Sequence, residues 1–208
     1  MTGQYLSNPQ IILASSSPRR KNLLNQINLK FTTKPSRFDE PEPDYSSEKP
    51  EDYAEGLAYQ KALMVSRGKK STLVIGSDTI VVINDEILNK PQSEEDAVAM
   101  LKKLSGKTHR VITAVALILT DSLGEIGSET RFHEVTEVTF SRMTDRDIRD
   151  YTATGSPLDK AGAYGIQDDW GSIFVEKING DYYNVVGFPL NRFYRELMNF
   201  SPGYLPRP

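Results

Sequence analysis

The chain has 208 residues, of which 38% are hydrophobic and 25% charged, with a net charge of −3, two histidines and no cysteine. At roughly 100–200 residues per domain this predicts one domain, or a tightly coupled two-lobed one, able to bury a core without staples; missing cysteines exclude a disulfide scaffold, a thiol nucleophile and Cys-based metal sites, and two histidines leave any metal to carboxylates. The acidic balance speaks against a nucleic-acid binder, no apolar run approaches the length of a membrane span, and MTGQYLSNPQ lacks the pattern of a signal peptide, so a cytoplasmic protein is expected.

No repeat period is visible. Ile11–Ala14 predicts a short strand closed by Ser15-Ser16-Ser17-Pro18, and a helix follows to about Ile27, with Ser17 suited to the N-cap and Pro18 to the first helical position. The proline-rich, acidic stretch 35–50 reads as a mobile surface loop. A helix is expected from about Glu51 to Arg67, then a broad strand from Leu73 to Ile83 turned back into a hairpin by Asn84-Asp85. Ser93 caps a helix with Ala97, Leu101 and Leu104 on its inner side. Val111–Thr120 and Val135–Phe140 predict long strands joined by a turn around Asp121–Gly124, and Thr144 with Asp147 starts a helix to about Tyr151. Ile173–Ile178 and Tyr182–Val186 read as a second hairpin through Asn179-Gly180, before a last helix, Leu190–Asn199. Helices mixed with hairpins predict an α/β fold with a mixed sheet.

Four places can carry chemistry. At Ser15–Arg20 a helix N-terminus follows a strand, so unpaired backbone N–H groups, serine hydroxyls and guanidinium forks can face an anion. On a wheel of about 100° per residue, Ala54, Leu57, Ala58, Ala62 and Val65 form an apolar stripe with Lys61 near its middle, and a lysine there must snorkel, pair with a carboxylate or face a polar cavity. Asp78 interrupts the most apolar stretch of the chain, so either the strand ends in a bulge at Gly76 or Asp78 is presented at a sheet end, where it could bind Mg²⁺ or act as a base. Lys90 could return a second cation to that end. In Asp159–Gln167 small residues allow close backbone approach to a ligand, and Gln167 could read a base edge. Asp39-Glu40 reads as loop charge and His109 and His133 as structural. Walker, dinucleotide-binding, zincin and nucleophile-elbow motifs are absent from the sequence.

Taken in order, LASSSPRR at 13–20, Asp39-Glu40, Lys61-Ala62, GSDT at 76–79, Lys90-Pro91, LSGKTHRVITAVAL at 104–117, PLDKAGAYGIQ at 157–167 and NVVGFPL at 184–190 resemble the Maf family of nucleoside triphosphate pyrophosphatases. The resemblance runs from about Ile11 to Phe200 and implies one Maf-like domain over 1–208. Its implied fold is Maf/ITPase-like: a mixed twisted sheet flanked by helices, with a central cleft between two lobes. It implies that Asp78 accepts the proton of an attacking water, that Ser15, Arg20, Lys61 and Lys90 hold phosphates, and that Glu40 and Asp78 bind a divalent cation, Mg²⁺ or Mn²⁺. Arg19, Thr79 and Gln167 map onto substrate-selecting positions and fall on the dTTP/UTP side of the family. The other branches to separate are a 7-methyl-GTP pyrophosphatase and a nucleotide-binding cell-division regulator with little turnover. A homodimer is implied as well, with no nucleic-acid or membrane partner. Two positions depart from the family pattern, Ser156 where an acidic residue is usual and Asp168 where glycine is; a carboxylate beside Gln167 bears on base preference.

Overall fold

The computed structural model describes residues 10–41, 43, 48–167 and 170–206. Among these, seven strands form one sheet: β1 (Gln10–Leu13), β2 (Thr32–Thr33), β3 (Thr72–Ile83), β4 (Glu86–Leu88), β5 (Thr108–Thr120), β6 (Ile126–Phe140) and β7 (Val175–Asn179). Their order is β2-β1-β3-β5-β6-β7, with β4 also on β3. β1 pairs in parallel with β2 and β3; the remaining pairings are antiparallel, so the sheet is mixed as expected. Asn84 (φ 49°) and Asp85 (φ 62°) take the left-handed conformations that a two-residue hairpin requires between β3 and β4.

Alternation along β3 sorts the core. Val74, Ile80 and Val82 face helix α2 (Pro50–Ser66), whose Ala54, Leu57, Ala58, Ala62 and Val65 are buried against them as the wheel predicts. Leu73 and Ile75, on the other face, pack with α1 (Pro18–Gln26) and α7 (Leu190–Phe200). Val81 and Ile83, on that same face but farther along the strand, pack with α3 (Glu94–Leu104) and α4 (Asp145–Thr152). These last two clusters are the two lobes, and a cleft of about 670 Å³ opens between them.

Caps match the sequence closely. Ser17 accepts from Arg20 N, Ser93 from Asp96 N, and Thr144 with Asp147 forms a reciprocal capping box. Two expectations are corrected. β6 begins at Ile126, not Val135, because it follows β5 down to Thr120 even though its first half is largely exposed and lacks an apolar signature. The second hairpin does not form: Gly171–Phe174 is a short helix α5, and Tyr182–Val186 is a helix α6 capped by Asp181, whose side chain accepts from Tyr183 N. β7 pairs antiparallel with β6 instead, and Asn184 on α6 is fully buried. Of the 35–50 loop, residues 42 and 44–47 lie outside the described residues, and 34–41 form neither helix nor strand. No helix among the described residues is long and apolar enough to cross a membrane.

His109, on β5, is 2% exposed, with Nε2 2.7 Å from Tyr164 Oη, and burial pulls its pKa down to about 3. In the unfolded chain the ring takes its proton near pH 6.5. The unfolded state therefore binds more protons between those two values. Stability falls as pH drops through that window, by up to ~1.4 kcal/mol per pH unit from this group, and is untouched above it. Urea unfolding of a His109→Gln variant should give a shallower loss between pH 6 and pH 4 than the parent; an identical slope would assign the acid sensitivity elsewhere.

Candidate active site

The position of Asp78 follows from how β3 is paired. One edge of the strand is held by β1 along Thr72–Ile75 and by β4 along Val81–Ile83. Between them, at Gly76–Ile80, no described strand occupies that edge, because the chain leaves β1 after Leu13 to enter the serine turn and α1. The opposite edge stays in unbroken register with β5 from Leu73 to Val82. Asp78 is thus neither beyond a bulge nor at a sheet end, as the sequence suggested; it sits in mid-strand, where the sheet is split. Because successive side chains alternate, Asp78 points to the α2 face and Thr79 to the other, and both line the cleft that wraps this open edge.

On the α2 face, Lys61 Nζ contacts Asp78 Oδ1 and lies 2.6 Å from Glu40 Oε1. Lys61 therefore pairs with two carboxylates and lines the cleft instead of snorkelling. Asp78 is 7% exposed, whereas Glu40 is open to solvent on its loop. An ammonium bridging two acids is the arrangement that makes a half-buried lysine and a buried aspartate tolerable together.

On the other face, Arg20 donates from Nε to Gly187 O (3.0 Å), from Nη1 to Ser15 Oγ (3.2 Å) and from Nη2 to Thr79 Oγ1 (3.0 Å). Burial lowers its pKa, with the charge of Asp78 opposing that shift. Its planar fork thus ties α1, β3 and the end of α6 together at the cleft wall. Arg19 reaches the second lobe, donating to Asp159 Oδ2 (2.9 Å) and Asp159 O (3.2 Å). Desolvation acts to raise the Asp159 carboxyl, yet hydrogen bonds from Lys160 and Arg19 hold it below its usual range.

Lys90 is exposed on the cleft wall, and Gln167 is an exposed lining residue after the 3₁₀ turns Ser156–Asp159 and Ala161–Ala163. Ser15, Arg19, Arg20, Glu40, Lys61, Asp78, Thr79, Lys90 and Gln167 consequently share one cleft. Asp159 and Lys160, which the sequence placed in the Asp159–Gln167 segment without a role of their own, line it too. Lys160 is 7% exposed and donates to Ser156 O (2.5 Å) and Asp159 Oδ1 (2.7 Å), so Ser156 stands beside a buried ammonium. A lysine amid glycines and alanines carried that signal. Asp168 lies outside the described residues.

His133 pairs with Glu55 at 2.7 Å and His109 is buried, and neither histidine lines the cleft. No group of three or more His, Asp or Glu gathers as a metal cage among the described residues. Glu40 and Asp78 nonetheless supply two hard oxygen donors already drawn around one positive charge. Paired carboxylate oxygens are the donor class that suits a hard divalent cation such as Mg²⁺ or Mn²⁺.

Comparison with known proteins identifies the family. A family model described as Maf-like protein matches residues 10–200. The chain is 48% identical over 188 residues to a dTTP/UTP pyrophosphatase of Geobacillus sp. strain WCH70, covering 90% of this chain and 96% of that protein. It is also 48% identical over 192 residues to a dTTP/UTP pyrophosphatase of Bacillus cereus strain AH820, covering 92% and 96%. Among solved structures, the Mycobacterium abscessus nucleoside-triphosphatase/dITP/XTP pyrophosphatase aligns at a TM-score of 0.42 and 12% identity, over 93% of this chain and 99% of that one. With residues 10–200 matched and almost half its positions shared over nine-tenths of its length, the chain belongs to the Maf family.

Proposed function

We propose that this protein is a nucleoside triphosphate pyrophosphatase that hydrolyses dTTP and UTP to the nucleoside monophosphate and pyrophosphate, with residues 11–200 as one catalytic unit. The observation that carries this reading is the convergence of Asp78, Glu40, Lys61, Arg20 and Lys90 on one cleft at the open edge of β3, beside the N-terminus of α1. The names of the relatives support the substrate class. The cleft, at about 670 Å³, lies within the usual range for a small-molecule site.

Entry of a triphosphate brings several negative charges to a wall that already holds cations. The first N–H groups of α1, Ser15 Oγ and the Arg20 fork take phosphate oxygens, with Lys61 and Lys90 adding point charges. Glu40 and Asp78 would hold Mg²⁺ or Mn²⁺, and a cation there would supply charge neutralisation for the phosphates. Asp78 accepts a proton from the water whose oxygen bonds to the α-phosphorus. The bond from that phosphorus to the α–β bridging oxygen breaks, and pyrophosphate leaves with the bridging oxygen. Positioning and charge neutralisation do most of this work. Arg19, Thr79 and Gln167 select the base.

Pyrophosphate release from UTP, dTTP, CTP and 7-methyl-GTP tests the reading. UTP and dTTP should give the highest kcat/KM. Release from 7-methyl-GTP alone would transfer the protein to another substrate class, and tight nucleotide binding in calorimetry with no product would make it a binding protein. Gln167→Ala should change the ratio among bases by several-fold while leaving the fold intact, since the side chain is exposed. A uniform fall across all bases would remove Gln167 from base reading.

A further inference from the structure

Hydrogen-bond polarity at Thr79 is dictated by what stands behind it. Thr113 is fully buried directly across from Thr79 in the β3–β5 register, with the two hydroxyl oxygens 2.9 Å apart. Thr113 Oγ1 also lies 3.0 Å from the main-chain oxygen of Asn184. A carbonyl has no proton to give, so the single hydroxyl proton of Thr113 is committed to it. The contact between the two threonines then has one available proton, and Thr79 is its donor. Arg20 Nη2 occupies one lone pair of Thr79 Oγ1 from 3.0 Å. What Thr79 can still offer the cleft is one lone pair and no proton.

Asn184 makes this polarity a property of the core. It is 0% exposed; its Oδ1 accepts from Thr113 N (3.1 Å) and its Nδ2 donates to Val111 O (3.0 Å) and Thr136 Oγ1 (2.9 Å). Its carbonyl is therefore held in place from β5 and β6 together, and a ligand cannot reorder it without breaking buried hydrogen bonds.

We propose that Thr113, buried behind the cleft wall, is a positioning residue that sets base choice by holding Thr79 as an acceptor only. This rests on the pyrimidine triphosphate reading above and deepens it. Uracil and thymine carry one donor on their pairing edge, N3–H, so that is the group an acceptor-only Thr79 matches. Cytosine presents a bare N3 lone pair in the same place, which sets acceptor against acceptor and leaves both unpaired.

Thr113→Val keeps the shape, removes the hydroxyl and frees the Thr79 proton to turn towards a ligand. Measured as kcat/KM for UTP and CTP, the UTP-to-CTP ratio should fall ~10-fold in Thr113→Val, with CTP gaining relative to UTP, and Thr113→Ser should restore the parental ratio. If Thr113→Val does not accumulate as folded protein, Thr113→Ala carries the same reading. A merely structural role lowers both substrates in parallel, and a ratio within two-fold of the parent overturns the proposal. If UTP and dTTP yield no pyrophosphate even with the parent protein, the reaction assignment fails and this inference with it; if they do and the ratio ignores Thr113, the inference alone fails.

Discussion

Asp78→Asn should lower kcat for UTP by ~100-fold or more while leaving the melting temperature close to that of the parent. The substitution preserves shape and removes both the charge and the basicity. Fold is spared for a structural reason. Lys61 keeps Glu40 at 2.6 Å, so the ammonium retains a counter-charge, and Asp78 lies on an unpaired strand edge facing a cleft, not inside the apolar cluster under α2. A proton acceptor acts as the water attacks, so kcat and kcat/KM should fall together, whereas a residue that merely anchors Lys61 would raise KM first. Pyrophosphate release within a few-fold of the parent would strip Asp78 of the role, and a collapse in stability matching the loss of activity would mark it as structural.

The reason Asp78 could be singled out from the sequence is that a carboxylate inside LVIGSDTIVVI contradicts everything around it, and such local contradictions concentrate at sites. The stripe on α2 gave Lys61 in the same way. Neither signal could say that the two meet, because their contact depends on which face of β3 carries Asp78 and on α2 lying flat over that face. The split pairing of β3 is likewise a topological fact: β1 and β4 come from opposite sides in sequence, and only the assembled sheet leaves Gly76–Ile80 uncovered. The Asn179-Gly180 pair misled, since its turn chemistry is real but the segment after it is held by Asn184 in the core as a helix. β6 was shortened for a different reason: its first half is mostly exposed and polar, and only pairing to β5 keeps it extended. Asp159 was legible as a residue and not as a partner of Arg19, 140 positions away.

Gly76→Ala should cost the protein both stability and activity, out of proportion to adding one methyl group. Gly76 lies beneath α2, and a Cβ built there would stand 2.1 Å from Ala58 O and 2.9 Å from Ala62 Cβ and Ala62 N. Those are backbone and near-backbone atoms of a buried helix face, so no side-chain rotation relieves the clash; α2 must lift from the sheet. Overpacking of that kind destabilises by about 1–3 kcal/mol, and each kcal/mol lowers Tm by roughly 2–4 °C in a protein of this size. The same lift carries Lys61, one residue before Ala62, away from Asp78, two residues beyond Gly76 on the same face. A displacement near 1 Å at such a pair can lower turnover by ~100-fold. Activity should therefore be lost at temperatures where circular dichroism shows the variant still folded. Gly56, on the same helix, is the internal control: a Cβ there meets nothing within 4 Å. Gly56→Ala should gain about 0.4–1 kcal/mol by narrowing the unfolded ensemble, with activity kept. Equal behaviour of the two variants would mean that close seating of α2 on the sheet does not hold Lys61 in register with Asp78.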